Sequence, residues 1–471
     1  MPDMEEHGGG LGARLRPARP TVMTWPPRGV SRDGAVEGGP EASGERHVGR
    51  RPGRAMRDSL IANAVSLVAT SAVTSGLGFG FWWLAARVLP AEGVGLGSAA
   101  VSAMMLVATL SMLGLGTLLI SELPGARERA DAAGLMSAAL LSAAVAAALL
   151  AVACGLALPH AAPSFAWIAR DPASLALFVL GVVVSAVTLV FDQAVIGLLR
   201  GELQWWRNAV SAVVKLLAVL VVGQFATHAG AQAIYGAWFI GNVASVLAVL
   251  PLARQGGAPL LGRPNWSFLA RLGGPALRHH ALNLAMQAPA LALPVLAASQ
   301  LIPGANAAFY VSWMIASFLG MVPYALATVL PAASSQETAV LRARVRASLR
   351  WSLLVCAPGA AGLILTARPL LALFGPAYEQ HALSLQVLAL TALPVIVKAH
   401  YIALGRVRGH LAGAAVMVAL GGGVELAAAA LGGRAWGVVG LSVGLLIAYG
   451  LEALCLLPTV LRGAGWPGGR P

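Results

Sequence analysis

Five lysine, aspartate or glutamate side chains lie inside long apolar stretches of this sequence, where each needs a partner or a function. An ionised group in the hydrocarbon core of a membrane costs about 2.5–3.5 kcal/mol on insertion scales. Asp192 lies about six residues from the end of one apolar stretch, and Lys215 lies about seven residues into the next. Because a helix rises about 1.5 Å per residue, the two groups reach similar depths on antiparallel neighbours. The spacing predicts an Asp192–Lys215 ion pair, which could serve as a clamp between two helices or as a gate.

The other three ionisable side chains, Lys398, Glu425 and Glu452, belong to the last three apolar stretches. Lys398 and Glu452 both fall toward the same membrane side, and we expect them to pair. Glu425 lies in the outer half of its stretch without an evident partner. We interpret Glu425 either as a titrating group that changes its charge in a working cycle or as a residue that faces water at a cavity mouth.

Two stripes of polar side chains run along helix faces in the first and seventh apolar stretches. Positions three or four residues apart share one face of a helix, and the stripes consist of Ser59, Asn63, Ser66, Thr70 and Thr74, and of His279, Asn283 and Gln287. Such stripes serve helix packing in lipid, or they line a common cavity. Hydroxyl and amide groups suit sugar hydroxyls because they both donate and accept hydrogen bonds. Arg87, Arg278 and His280 could bind a phosphate group, although Arg87 could equally anchor its helix at the membrane interface.

The sequence lacks the motifs of several enzyme classes. Both lysines follow valine, so there is no Gly-Lys-Ser/Thr phosphate-binding loop. The three cysteines, Cys154, Cys356 and Cys455, are scattered without metal-ligand spacing. Residues 440–444 have the Gly-x-Ser-x-Gly spacing of a hydrolase, but Ser442 lies inside an apolar stretch, where small residues pack helices. We therefore predict no catalytic residue, no cofactor and no metal site, in a protein that is not an enzyme.

Twelve apolar stretches must position these groups. A membrane helix needs about 20 apolar residues, and the stretches cover residues 60–86, 94–120, 133–157, 174–197, 209–227, 232–253, 281–302, 305–331, 351–367, 382–404, 410–432 and 436–461. Arginine alternates between the connections, with 16 in the even-numbered connections and the C-terminal tail against 4 in the odd-numbered ones. The positive-inside rule thus predicts an all-α polytopic membrane protein with about 12 transmembrane helices and cytoplasmic termini. The net charge of +13 belongs to this orientation signal, and we expect no nucleic-acid partner.

The chain divides into two halves of six stretches each, with tails at both ends. Residues 1–56 are rich in Arg, Gly and Pro, which predicts a disordered cytoplasmic tail, and Met56 is an alternative start of the chain. We expect six-helix lobes at residues 57–253 and 281–462, a cytoplasmic interlobe linker at 254–280 and a short cytoplasmic tail at 463–471.

The two halves also share matching segments. The segment DQAVIGLLRG, which begins at Asp192, aligns with KAHYIALGRV, which begins at Lys398, at an offset of 206 residues. Transporters built from two repeats bind their substrate at the interface between the repeats. We therefore expect a central cavity between the two halves.

Three segments resemble the Wzx-type polysaccharide flippases, which belong to the multidrug/oligosaccharidyl-lipid/polysaccharide exporter superfamily. They are residues 59–117, FDQAVIGLLRGELQWWRNAV at 191–210 and FGPAYEQHA at 374–382, and the resemblance extends over residues 57–462. It implies two six-helix lobes around a central cavity that flip lipid-linked oligosaccharide or polysaccharide precursors to the outer leaflet by alternating access. It further implies a lipid-linked glycan and membrane lipids as partners, other glycan-assembly membrane proteins as candidate partners, and a bacterial plasma-membrane location.

Three other functions are compatible with the sequence. A cation-coupled drug antiporter of the same superfamily would have the same helices. An integral-membrane glycan polymerase or glycosyltransferase normally presents its catalytic groups on a sizeable outer loop, whereas the longest predicted outer connection here is residues 158–173. The third alternative is a scaffold protein of a glycan-assembly complex, which transports nothing itself.

Overall fold

The computed structural model describes residues 76–125, 129–225, 230–255, 261–328, 330 and 338–466. In these ranges the chain forms helices and turns and no β-strand, which confirms the predicted all-α class. The helices are α1 (described over residues 76–88), α2 (Ala91–Ser111), α3 (Leu115–Glu122), α4 (Arg129–Ala161), α5 (Pro172–Gly197), α6 (Gly201–Phe225), α7 (Ala231–Gln255), α8 (Trp266–Gln300), α9 (Pro303–Ala327), α10 (Thr338–Ala372), α11 (Pro376–Glu379), α12 (Ala382–Leu390), α13 (Ala392–Val407) and α14 (Leu411–Ala464).

These helices correspond in order to the twelve predicted membrane crossings. Within the described ranges, nine helical segments are long and apolar enough to cross a membrane. The last of them, α14, corresponds to two predicted crossings, because Trp436 and Gly437 leave the helical conformation inside it. The described part of α1 and the long helix α8 lie at the predicted first and seventh crossings. We call helices α1–α7 the N-terminal half and helices α8–α14 the C-terminal half, and each half corresponds to six predicted crossings.

The chain reversal inside α14 depends on glycine. Gly437 has a φ of 58°, in the left-handed region that glycine adopts without strain. The two arms of α14 then pack closely, since a Cβ at Gly432 would lie 2.0 Å from the carbonyl oxygen of Gly440. A Cβ at Gly444 would lie 2.1 Å from the carbonyl oxygen of Ala428. Glycine thus lets the eleventh and twelfth crossings meet backbone to backbone, as small residues do in membrane proteins.

Two helices extend into the segment predicted as the interlobe linker. Helix α7 continues to Gln255, and α8 begins at Trp266, inside that segment. The lobe boundaries themselves stay a prediction.

Helix α2 packs against α4, α5 and α7 of the N-terminal half and against α8 and α9 of the C-terminal half. Small residues make these contacts possible. A Cβ at Gly95 would lie 1.8 Å from the carbonyl oxygen of Pro303, and a Cβ at Gly97 would lie 2.6 Å from the Ile234 side chain. Small side chains let helices approach closely in lipid, where no hydrophobic force drives them together. Helix α2 is therefore a main contact between the two halves.

Gly95→Ala is expected to destabilise the protein, because the added methyl group meets the Pro303 carbonyl oxygen and overpacking of a tight contact costs about 1–3 kcal/mol. Gly236→Ala in α7 is the matched control, since a Cβ there has no neighbouring heavy atom within 4 Å. Thermal unfolding of both variants in detergent measures the difference. Equal unfolding temperatures for the two variants would contradict the close approach of α2 to α9.

Large apolar side chains cover the outside of the bundle. Leu149, Leu365, Leu431 and Leu454 are all exposed. A contiguous apolar exterior is a liability in water, but it is the surface that a bilayer requires of a spanning helix. The chain is therefore a multi-pass membrane protein.

Candidate functional site

A buried cluster of three charged side chains, Lys398, Glu425 and Glu452, joins α13 to both arms of α14. The Nζ atom of Lys398 lies 2.5 Å from Oε1 of Glu425 and 3.0 Å from Oε2 of Glu452. Only 6–8% of each side chain is exposed. We call this cluster the charged triad. The predicted Lys398–Glu452 pair is confirmed.

The charged triad has unequal numbers of acidic and basic groups. When all three groups are ionised, two carboxylates face one ammonium group, and the sum of their charges is −1. Gly421 permits this packing, because a Cβ there would lie 2.3 Å from Oε1 of Glu452. An unbalanced buried charge costs free energy in a medium of low dielectric constant. The charged triad is therefore suited to take up one proton or one monovalent cation.

The prediction that Glu425 has no partner is wrong. The eleventh crossing runs from Leu411 to the reversal at Trp436, so Glu425 lies just past its middle, toward the reversal. The Lys398 side chain has a flexible four-carbon stem, which can bridge a difference in depth between two helices. Glu425 is therefore an ion-pair partner in the charged triad.

A cavity of about 310 Å³ borders the charged triad. It lies among α8, α9, α12, α13 and α14, and we call it the C-terminal cavity. Its lining combines the polar side chains of Gln287, Ser317 and Thr391, the aromatic side chains of Trp313, Tyr324 and Tyr449, and the charged Lys398 and Glu425. Aromatic faces together with a few polar groups are typical of a site that binds and orients a small polar molecule. A sugar ring, with apolar C–H faces and polar hydroxyls, fits this combination.

A second buried ion pair links α5 to α6. Arg207 donates from Nε to Oδ1 of Asp192 at 2.6 Å and from Nη2 to Oδ2 at 2.5 Å. Arg207 lies inside α6, although the sequence pattern placed it in a connection, and its planar guanidinium binds both carboxylate oxygens. The predicted Asp192–Lys215 pair is therefore wrong. The Nζ atom of Lys215 lies 3.9 Å from the ring centre of Trp238 instead, in a cation–π contact.

A polar cavity of about 230 Å³ lies between the two halves, at a break in the second crossing. Between α2 and α3, Leu113 and Gly114 have φ values of 48° and 79°, both in the left-handed region. We call this space the seam cavity, and its lining consists of Thr109, Met112, Gly114, Gly116, Thr117, Gln193, His280 and Gln287. Gln287 also lines the C-terminal cavity. The two cavities therefore adjoin at this residue.

Hydrogen bonds and ring contacts join the two halves at one end of the bundle, where α1 and α8 end and α2 and α9 begin. We call it the upper end. Three side chains donate to carbonyl oxygens of the opposite half: Asn306 to Gly95 (2.8 Å), Ser164 to Ala298 (2.9 Å) and Trp83 to Leu373 (3.0 Å). The ring centres of Trp82 and Tyr310 are 4.7 Å apart across the same interface. The seam cavity lies toward the opposite, lower end.

Several predicted site residues line these cavities, and others do not. Gln287 lines both cavities, and His280 lines the seam cavity. Arg87 is exposed at the end of α1. Outside the described residues lie Asn63, Ser66 and Thr70, and the side chains of Arg278, His279 and Asn283. The predicted stripe on the first crossing therefore stays a prediction, and on the seventh only Gln287 is placed.

The Gly-x-Ser-x-Gly segment is helical, as predicted. Ser442 lies within α14, donates to the carbonyl oxygen of Val438 at 3.0 Å and lies 2.6 Å from the hydroxyl oxygen of Ser384. No strand-to-helix turn surrounds this serine, so it packs helices.

The residues of these sites that the prediction did not include are Arg207, Tyr324, Tyr449 and other lining residues such as Gln193 and Thr391. Tyr449 precedes Glu452 by three positions, and residues at that spacing share a helix face. This spacing could have identified it. The place of Tyr324 depends on how α9 packs, for which the sequence carries no local signal.

The comparisons with known proteins agree with this architecture. Residues 60–254 match the family model of polysaccharide biosynthesis proteins, whereas no curated protein matches the chain. The fold is similar to that of a multidrug resistance MATE family transporter of the MOP superfamily in an inward-facing conformation (TM-score 0.62, 17% identity, 82% of this chain and 95% of that chain). It is also similar to the lipid II flippase MurJ in an inward closed conformation (TM-score 0.61, 12% identity, 85% and 90%), and to MATE in the bent conformation (TM-score 0.54, 14% identity, 85% and 95%). These findings confirm the resemblance predicted from the sequence: the chain has the fold of these solved structures, and residues 60–254 match the polysaccharide biosynthesis proteins.

Proposed function

We propose that this protein is a flippase, which moves lipid-linked oligosaccharide or polysaccharide precursors from the cytoplasmic to the outer leaflet of the bacterial plasma membrane. The observation that carries the proposal is the position of Gln287, which lines both the seam cavity and the C-terminal cavity. The two adjoining cavities would form a route, with polar side chains along it, from the break in the second crossing to the charged triad, and we call it the polar route. The match of the first six crossings to polysaccharide biosynthesis proteins supports a glycan as the cargo.

The polar route would lower the barrier that a glycan meets in a membrane. A sugar that enters hydrocarbon loses the hydrogen bonds of its hydroxyl groups to water, at a cost of several kcal/mol per group. Amide and hydroxyl groups such as those of Gln287 and Thr391 replace water because they both donate and accept. The lipid tail stays in the bilayer, beside the apolar exterior of the bundle.

The mechanism that fits this arrangement is alternating access. With cytoplasmic termini, the upper end is the outer end, so the hydrogen bonds there close the route to the outside. Two similar solved structures, the MATE transporter and MurJ, are in inward-facing and inward closed conformations, and a closed upper end fits such a state. Rocking of the halves would break the three upper hydrogen bonds and open the route on the other side.

The charged triad is the coupling group of this proposal. Its surplus carboxylate takes up a proton or a monovalent cation in one state and releases it in the other, because rocking changes the access of water to the site. The Asp192–Arg207 pair has balanced charges and bidentate geometry. That pair therefore acts as a clamp between α5 and α6.

Gln287→Leu is expected to slow flipping about tenfold or more, because it leaves the sugar hydroxyls at the junction of the cavities without a partner. Proteoliposomes that contain a fluorescent lipid-linked oligosaccharide, treated with a membrane-impermeant quencher, measure the flipping rate. Gln380→Leu is the matched control, since Gln380 is exposed and donates only to the nearby Ala377 carbonyl oxygen. An unchanged rate in Gln287→Leu would overturn the assignment of the cavities to the cargo.

The same vesicles distinguish the alternative functions. Efflux of ethidium driven by a cation gradient, without glycan flipping, would favour the drug antiporter. Elongation of the glycan, seen as longer chains on a gel, would favour the polymerase. Flipping without either of these activities supports the proposal.

A further inference from the structure

The break in the second crossing is a strained feature that points to a binding role. Leu113 has a φ of 48° and Gly114 a φ of 79°. Glycine adopts this conformation freely, but a leucine there is uncommon and carries a cost in free energy. Strain of this kind persists where the surrounding structure holds it, and it is frequent at ligand sites. The break also divides the crossing into α2 and α3, so a helix N-terminus lies inside the bundle.

The N-terminus of α3 faces the seam cavity, since Gly114, Gly116 and Thr117 all belong to its lining. The N–H groups of the first helical turn have no acceptor within the helix, and the helix dipole places partial positive charge there. Leu115 donates to the Met112 carbonyl oxygen and Leu118 to that of Gly114. Gly116 lies between them and has no side chain that could shield its N–H group. Such a terminus attracts an anion.

His280 is a second and independent sign of a ligand in the same cavity. The residue is 5% exposed, and its ring is hydrogen-bonded to the backbone of Leu110. Its Nε2 atom is buried, and it has no hydrogen-bond partner among the residues that the structure describes. Buried polar atoms are nearly always paired, so an orphan beside a polar cavity indicates a missing ligand group. Because the backbone bond is made through Nδ1–H, Nε2 donates only when the ring carries a second proton, which a nearby anion favours.

From these observations we infer that the seam cavity binds a phosphate group, through the N-terminus of α3, His280 Nε2 and the amides of Gln193 and Gln287. The lining residues that the structure describes include no acidic side chain, and His280 is the one titratable group among them. A phosphate there meets no like charge. This inference rests on the proposed function, in which the phosphate is the diphosphate that joins the glycan to its lipid. Gln287 would then lie between the diphosphate and the sugars in the C-terminal cavity.

Isothermal titration calorimetry of the full-length protein in detergent tests this inference with inorganic pyrophosphate, farnesyl diphosphate and farnesol. We expect the wild type to bind both diphosphates and not farnesol. His280→Asn keeps a polar atom at the position of Nδ1 but has none at the position of Nε2. It should therefore lower the affinity for both diphosphates about tenfold or more. His280→Gln, whose amide nitrogen reaches the place of Nε2, should retain most of the affinity. His381→Asn, at a histidine outside the seam cavity, is the matched control.

If His280→Asn does not fold, Gln193→Leu in the same cavity replaces it as the test variant. Gln193→Leu should weaken the binding of the same two diphosphates. Binding of both diphosphates indicates that phosphate alone is sufficient, and binding of farnesyl diphosphate alone indicates a lipid-linked one. Three results would overturn the site: no diphosphate binding by the wild type, wild-type affinity in the folded variants, or equal affinity for farnesol. If the wild type flips lipid-linked glycan but does not bind diphosphate, the phosphate site is wrong and the proposed function is retained. If the wild type binds diphosphate but does not flip lipid-linked glycan, the phosphate site is retained and the proposed function is wrong.

Discussion

Lys398→Met is expected to abolish transport and to lower the free energy of unfolding by about 3–5 kcal/mol, because it removes one partner of a buried ion pair. The substitution leaves Glu425 and Glu452 buried together without a counter-charge. Like charges at short distance in a medium of low dielectric constant repel strongly. The flipping assay and unfolding by a denaturing detergent measure the two effects.

Lys215→Met is the matched control for this prediction. Lys215 is also a lysine inside a membrane crossing, but it contacts the Trp238 ring, and no carboxylate among the described residues lies within ion-pair distance of it. Its replacement should therefore cost much less than that of Lys398. If Lys398→Met is as stable and as active as Lys215→Met, the charged triad is neither a structural cluster nor a coupling group.

Substitutions in the Asp192–Arg207 pair should have large and non-additive effects on the free energy of unfolding. Asp192→Leu or Arg207→Met alone leaves one buried charge unpaired, at a cost of about 3–5 kcal/mol. The double variant removes both charges, so it should be more stable than either single variant. Unfolding of the three variants in detergent gives the coupling energy of the pair.

An exposed pair provides the control for this cycle. Glu202→Gln removes a carboxylate that lies 3.5 Å from Arg200 at the surface, and it should change stability by less than about 1 kcal/mol. Equal flipping in the double variant and the wild type would identify Asp192–Arg207 as a clamp alone. A double variant that is stable but inactive would instead give the pair a direct role in transport.

The crossings were predictable from the sequence because each one satisfies its own constraint. A helix in hydrocarbon needs an apolar run of sufficient length, and the arginines in its flanking connections set its direction. Neither condition depends on which helices are neighbours. The chain reversal between the last two crossings was also predictable, since the glycines around Gly437 interrupt the apolar pattern.

The partners of the buried charges were not predictable with the same certainty. The choice between Lys215 and Arg207 for Asp192 depends on where α6 begins and how it is rotated, and apolar patterns locate helix ends only to within a few residues. Glu425 was left without a partner because its predicted depth differed from that of Lys398, a difference that the long lysine side chain bridges. The break at Leu113 has no signal in its own residue type, since leucine rarely adopts a positive φ. Its cause lies in tertiary packing.

The three upper hydrogen bonds all end on main-chain oxygens, those of Gly95, Ala298 and Leu373. A peptide group offers the same oxygen whichever amino acid carries it. Position 373, where the leucine side chain is exposed, can therefore accept other residues without loss of its hydrogen bond. The chemical specificity of the three upper hydrogen bonds therefore depends on their donor side chains alone.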